Sequence, residues 1–246
     1  MKLCKRIRAT LYCVFFIASV LFVIACFGFT NDQGRIWRIR KRWARLQLFV
    51  TGIKVEFQGA FDENATMILM NHQSMLDIIA LEAFYPKNLA WIAKKEIQEL
   101  PIFKYTMTKP QLLCVDRKNP RSLLKLLREA KERLSQGRPL AIFPDGTRSK
   151  DGKIPKFQVG AKVLADKLAL KVQPLLIVNS ATLLDSKAFT LSSGVLKIIC
   201  LDLVDLSDEK WLEKTHDLMQ KRLDKERAKQ TPAVIASEPQ SKRGNP

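Results

Sequence analysis

MILMNHQSMLD, residues 67–77, decides the fold class. A short unbroken apolar run ends at Met70, polar residues follow, and a helical pattern starts near Ser74, so His72 falls on the turn between a buried strand and a helix. Strand ends of this kind are where α/β proteins commonly place active sites. Outward from this segment, apolar runs keep alternating with helical patterns. Strands are expected at 54–57, 66–70, 89–93, 112–115, 140–143, 172–178 and 195–203, and helices at 74–84, 120–136, 157–170 and 207–229. The expected architecture is α/β, a single mixed sheet flanked by helices, with an N-terminal membrane-embedded helical segment.

The chain has 246 residues, 47% of them hydrophobic, which suffices for one sizeable domain and argues against global disorder. Its net charge of +18 favours anionic partners such as phospholipid headgroups, nucleic acid or an acidic carrier protein. The distribution of charge separates these. Residues 1–60 carry eleven Lys/Arg against Asp32 and Glu56, a local net of +9, so half of the excess lies in the first quarter, beside apolar sequence. With no zinc-finger spacing either, a nucleic-acid partner is not expected. Cys4, Cys13, Cys26, Cys114 and Cys200 are scattered without a C-x-x-C pair, which fits a reducing compartment and neither a disulfide framework nor a zinc site.

Residues 11–29 hold no charge, and nineteen residues at about 1.5 Å each are just enough to cross a hydrocarbon core as a helix. After them Ile36, Ile39, Trp43, Leu46 and Val50 recur at helical spacing beside Arg35, Arg38, Arg42 and Arg45, the pattern of a helix lying in the headgroup layer. Both flanks are basic, so the positive-inside rule gives no orientation. The preferred reading is a segment that dips into one leaflet and returns; a single span and a cleaved signal ending near Cys26 are the alternatives. The expected organisation is a membrane-dipping helix plus basic interfacial helix over 1–50, a catalytic domain over 51–229, and a disordered Pro/Ser-rich tail over 230–246.

Three segments carry candidate chemistry. In the first, Asp77 lies in the opening turn of the helix that follows His72, close enough for its carboxylate to fix one ring nitrogen while the other takes a proton from a hydroxyl. Ser74-x-x-Asp77 equally fits a helix capping box. In the second, LAIFPDGTRSKDG at 140–152, Asp145-Gly146 reads as a turn, while Gly146, Thr147 and Arg148 offer backbone amides, a hydroxyl and a forked cation for an anion. The third, LLCVDRKNP at 112–120, sets Asp116-Arg117 between a strand and a helix N-terminus, as a surface turn or an anion contact. His216, in a strongly charged helix, reads as a surface or structural residue.

Taken together and in order, these segments resemble the glycerolipid acyltransferases. Asn71-His72-Gln73-Ser74-x-x-Asp77 is similar to that family's H-x4-D block, and Val115-Asp116-Arg117, Phe143-Pro144-Asp145-Gly146-Thr147-Arg148-Ser149 and Pro174 before an apolar run resemble its later blocks. Lys94-Lys95-Glu96 and Phe157 with Gly160-Ala161 resemble the sequence between. The resemblance covers roughly 50–180 and is greatest to the bacterial 1-acyl-glycerol-3-phosphate acyltransferases, which also carry an N-terminal membrane-dipping helix pair. One position departs: Asp145 stands where the family has Glu.

The resemblance implies transfer of an acyl group from a thioester to a lyso-lipid hydroxyl, giving phosphatidic acid, in a single displacement without a covalent acyl-enzyme. It casts His72 as base, Asp77 as its partner, and Arg117, Asp145, Gly146, Thr147 and Arg148 as the binding site of the acceptor. It further implies acyl-carrier-protein or coenzyme A thioesters as co-substrate, no cofactor or metal, and a place at the bacterial inner membrane with the catalytic domain on the cytoplasmic side. Another lyso-lipid or glycerol 3-phosphate as acceptor, or a non-catalytic lipid-binding protein, are the alternatives that the Asp145 departure raises.

Overall fold

Two helices open the chain, α1 (Lys2–Gly28) and α2 (Gln33–Thr51), followed by β1 (Ile53–Gln58), β2 (Met67–Met70), α3 (Met75–Phe84) and β3 (Ala90–Lys94). Next come α4 (Lys95–Gln98), α5 (Pro101–Thr108), β4 (Leu113–Val115), α6 (Arg121–Ser135), β5 (Leu140–Ile142), α7 (Val159–Lys167) and β6 (Val172–Val178). A short helix α8 (Ser180–Leu183), a hairpin of β7 (Leu184–Asp185) and β8 (Thr190–Leu191), β9 (Gly194–Cys200) and α9 (Trp211–Ala228) complete it. The computed structural model describes residues 2–116, 119, 121–149 and 153–229. The expected tail at 230–246 lies outside them.

Seven strands form one sheet in the order β1-β9-β6-β2-β5-β3-β4, parallel throughout except where β6 meets β9. The sheet is mixed, as the sequence led one to expect. In β2, Ile68 and Met70 enter the core shared with α1, α2 and α3, whereas Met67 and Leu69 enter the core under α6, α7 and α9. Side chains alternate faces along a strand, so a strand covered on both faces must be apolar at every position. That is why 67–70 reads as an unbroken run.

All seven long strands fall where expected within a few residues, but three features were not foreseen. α4 and α5 occupy 95–108, α8 caps the exit from β6, and the β7–β8 hairpin precedes β9. The last expected strand also stops at Cys200. Beyond it Leu201 and Val204 still donate to the carbonyls of Pro174 and Val172, without continuing a regular ladder.

The N-terminal pair differs from a simple membrane anchor. α2 begins on an Asp32 cap that accepts the Arg35 N–H at 2.7 Å and ends at Gly52 in the left-handed conformation (φ +64°). Its stripe of Ile36, Arg40, Ala44, Gln47 and Thr51 is buried. Arg40 pairs there with Glu82 of α3, and Lys41 and Arg45 donate to the carbonyls of Tyr85 and Ala83. Part of the apolar side of this helix is thus packed on protein, while Leu46, Phe49 and Val50 are exposed and Arg35, Arg38 and Arg42 face outward.

α1 is 27 residues long, about 40 Å, long and apolar enough to cross a membrane. Both of its ends are nevertheless held by the same body. Near the start, Arg8 donates to Ser193 Oγ and to the Thr51 carbonyl, each at 3.0 Å. Past the other end, Asn31 accepts from Lys109 Nζ at 2.9 Å and Gln33 donates to the Lys109 carbonyl at 3.0 Å. Val20, Val23 and Phe27 face inward, while Leu3, Ile7, Leu11, Val14 and Leu21 form an exposed apolar stripe.

Candidate active site

β2 and β5 are adjacent, with Leu69 opposite Ile142. Extending that register by three residues sets His72 beside Asp145, and there the two meet. The His72 main-chain N–H donates to Asp145 Oδ2 at 3.0 Å, and the His72 carbonyl accepts the Ser149 N–H at 2.8 Å. The turn between them bends through Gly146 at φ +63°, a conformation open chiefly to glycine. Both main-chain polar groups of His72 are thus gripped by the 145–149 turn.

The side chain is fixed just as closely. His72 Nδ1 lies 2.8 Å from Asp77 Oδ2, and the same oxygen accepts the N–H groups of Gln73 at 2.7 Å and Ser74 at 2.8 Å. A carboxylate only accepts, so the ring hydrogen sits on Nδ1 and Nε2 is left as an acceptor. Ser74 is meanwhile the N-cap of α3 in a capping box with Asp77. The two readings of this segment hold together: Asp77 caps the helix and orients the imidazole with one oxygen. The ring stacks on Phe143, centroids 4.0 Å apart, which stacks in turn on Trp91.

Asn71, not singled out from the sequence, carries the β2–β6 ladder one step further. Its side chain donates to the Ile177 carbonyl at 2.9 Å and accepts the Ile177 N–H at 2.7 Å. This pins the strand end from which His72 projects.

A cavity of about 840 Å³ opens beside His72. That volume is in the range of ligand sites that enclose most of a drug-sized molecule. Its deep wall is apolar and is built in part by α1, through Phe16, Val20, Val23 and Phe27, and by Met75, Ile78 and Ile79 of α3. Its polar part gathers His72, Thr147, Arg148, Lys94 and Lys187, with Asp185 and the Arg40–Glu82 pair also in the lining. An apolar chain ending in an anionic head fits this division. Among the described residues no group of three or more His, Cys, Asp or Glu side chains is placed to hold a metal ion.

The expected site residues are thus brought together unevenly. His72, Gly146, Thr147 and Arg148 line the cavity, and Asp77 stands directly behind His72. Arg117 lies outside the described residues, although Val115 at the end of β4 reaches the cavity wall. Asp145 is set apart from them. It is 3% exposed and does not line the cavity, because its carboxylate turns to the His72 main chain. Burial pushes that carboxyl up to about 6, opposed by the His72 N–H and imidazole and reinforced by Asp77.

Lys94 and Lys187 were missed as site residues. Lys94 ends β3 on the same sheet edge as His72, and its position in a Lys-Lys-Glu stretch was the available signal. Lys187 rides on the β7–β8 turn, where Asp185 accepts the Lys187 and Ala188 N–H groups; so short a hairpin left little trace in the hydropathy pattern. His216 is structural, its Nε2 3.0 Å from the Ile154 carbonyl and its ring edge-on to Phe157.

The family model described as Acyltransferase matches residues 52–178, a span that holds β1 to β6 and every site residue just described except Lys187 and those of α1. The chain belongs to the acyltransferase family. A 1-acyl-sn-glycerol-3-phosphate acyltransferase of Helicobacter pylori is 38% identical over 223 residues, 89% of this chain and 94% of that one. The protein of that name from Pseudomonas aeruginosa is 30% identical, over 65% of this chain and 62% of its own length. A chloroplastic relative in Arabidopsis thaliana is 29% identical over 79% of this chain, which spans 57% of it. In fold, this acyltransferase is similar to the crystal structure of the 1-acyl-sn-glycerophosphate (LPA) acyltransferase PlsC of Thermotoga maritima. The TM-score is 0.74, at 23% identity over 93% of this chain and 98% of that one.

Proposed function

We propose that this acyltransferase moves a fatty acyl group from a thioester to the sn-2 hydroxyl of 1-acyl-glycerol 3-phosphate, giving phosphatidic acid, with His72 as general base. The observation that carries the reading is the His72–Asp77 contact at 2.8 Å, beside a cavity lined mostly by apolar side chains with Lys94, Arg148 and Lys187 among its polar ones. The relatives named for this reaction, among them the 38% identical one, support the choice of acceptor.

In the proposed step Nε2 takes the proton of the acceptor hydroxyl as its oxygen attacks the thioester carbonyl. Asp77 stabilises the imidazolium through Nδ1–H. Collapse of the tetrahedral intermediate expels the thiolate, which recovers the proton from His72. Arg148, the Gly146–Thr147 turn and Arg117 hold the acceptor phosphate, joined by Lys94 and Lys187. The donor is an acyl-carrier-protein or coenzyme A thioester, and the net charge of +18 favours approach of an acidic carrier. The α1–α2 pair rests in one leaflet, on the cytoplasmic side of a bacterial inner membrane, where such thioesters are met.

We read the Asp145 departure as no argument for another acceptor. The departure from Glu falls on a side chain turned away from the cavity. The test is thiol release from an acyl thioester by wild type and His72→Ala in detergent micelles, with and without 1-acyl-glycerol 3-phosphate. Acceptor-dependent release that the variant loses supports the reading; release that depends on a different lyso-lipid replaces the acceptor, and none with any acceptor ends the enzymatic assignment of His72.

A further inference from the structure

The Asp145 carboxylate does not line the cavity, yet it is buried beside the reacting histidine. Oδ2 is engaged by the His72 N–H at 3.0 Å, while Oδ1 is buried without a hydrogen-bond partner. Keeping a half-satisfied carboxylate in a covered site is unfavourable. A neutral side chain would sit there more comfortably, so packing alone does not explain the residue. Its neighbours do. Two residues of the same turn hold the His72 peptide groups from both sides, Asp145 at the N–H and Ser149 at the carbonyl, and Thr147 and Arg148 between them face the cavity.

We propose that Asp145 is a positioning residue of the acyl transfer, its carboxylate locking the His72 main chain to the turn that carries Arg148, and not a ligand of the acceptor. This rests on His72 being the base. A carboxylate accepts the N–H more strongly than a neutral group does, and its negative charge lies near the imidazolium formed in the reaction. The groups that act on it are the N–H groups of His72 and Gly146, the His72 imidazole, and Asp77 from the start of α3. Protonation removes the charge and weakens the clamp, so the share of the acid limb that Asp145→Asn removes belongs to this residue.

The experiment compares wild type, Asp145→Asn, Asp145→Ala, Asp145→Glu and His72→Ala in mixed micelles, with acceptor and thioester varied separately across pH. Loss of the clamp lets the base drift, and a misplacement of about 1 Å costs on the order of 10²-fold. The expected result is a kcat lowered roughly 10- to 100-fold in Asp145→Ala with acceptor KM within about twofold. Asp145→Asn retains an acceptor for the N–H and recovers part of kcat, with an acid limb shallower than that of wild type. Asp145→Glu restores the charge and the steeper limb.

An acceptor KM that rises while kcat holds overturns the proposal and returns Asp145 to the acceptor site. An acid limb unchanged in Asp145→Asn overturns it too. If Asp145→Ala does not fold, the Asn and Glu variants decide. Should His72→Ala keep full activity, the assignment of the base has failed instead.

Discussion

Arg8 and Ser193, 185 positions apart, are joined by a 3.0 Å hydrogen bond from guanidinium to hydroxyl. The start of the apolar helix is thereby fastened to the turn before β9, while Lys109 fastens the chain just past its end. A spanning helix would carry one of these ends to the far side of a bilayer. In a cysteine-free background, single cysteines replacing Lys5 and Lys187 are expected to react with a membrane-impermeant maleimide from the same side of sealed vesicles. Labelling of the two from opposite sides would restore the single span.

Asp77 serves two structures with one oxygen, so its loss has two readouts. His72→Ala is expected to lower kcat by about 10²–10⁴ while leaving unfolding nearly unchanged. Asp77→Asn should lower kcat and also weaken the start of α3 by about 1 kcal/mol, a few degrees in Tm. Thermal unfolding alongside initial rates separates the two. Equal stability of both variants would mean that the cap does not depend on the carboxylate.

Arg148 at the cavity mouth is exposed, so its contribution is tempered by solvent. Arg148→Ala is expected to raise the KM for 1-acyl-glycerol 3-phosphate roughly tenfold and to change that for the thioester little. Lys187→Ala should act in the same direction but less. A rise confined to the thioester KM would place these cations on the donor.

Arg40 and Glu82 form an ion pair inside the protein, with Trp91 Nε1 donating to the same carboxylate oxygen. Removing one partner strands the other charge, and Glu82→Leu should cost about 3–5 kcal/mol. The double variant Arg40→Met/Glu82→Leu is expected to regain most of that. Chemical unfolding in detergent reads both, and strict additivity would show that the pair is not coupled.

The Asp145 carboxyl, raised from its ordinary 3.8 to about 6, keeps its proton in the folded state where the unfolded chain has lost it. Its contribution to stability is therefore full below about pH 4 and is lost as pH rises through about 6. Asp145→Asn has no such loss. Its Tm relative to wild type should climb between about pH 4 and 7, by an amount equivalent to a few kcal/mol. A difference that stays flat with pH would mean an unshifted carboxyl.

The sheet was readable because β2, β5 and β6 are covered on both faces and so show as apolar runs between helical patterns, broken in β6 only by the hydrogen-bonded Gln173. The pairing of His72 with Asp77 was readable as well, since five residues around a helix start leave few geometries. What escaped was set by contacts distant in sequence. Asp145 looked like part of an anion-binding turn because the three residues after it do face the cavity; only the β2–β5 register reveals that its own side chain points the other way. The role of Arg40 was hidden beside a basic stripe, Arg35, Arg38, Arg42 and Arg45, whose members are exposed. Nothing in the composition of α2 marks the one arginine that finds a carboxylate.

α1 is a partition one helix thick. Phe16, Val20 and Val23 look into the cavity, while Leu11, Val14 and Leu21 look outward. On the proposed placement of the outward stripe in a leaflet, a lyso-lipid is expected to reach His72 by sliding sideways, its chain never passing through water. The quantity that saturates such a catalyst is a surface density. Diluting the acceptor with inert lipid at constant bulk concentration should slow the reaction, whereas diluting the whole suspension with buffer should not.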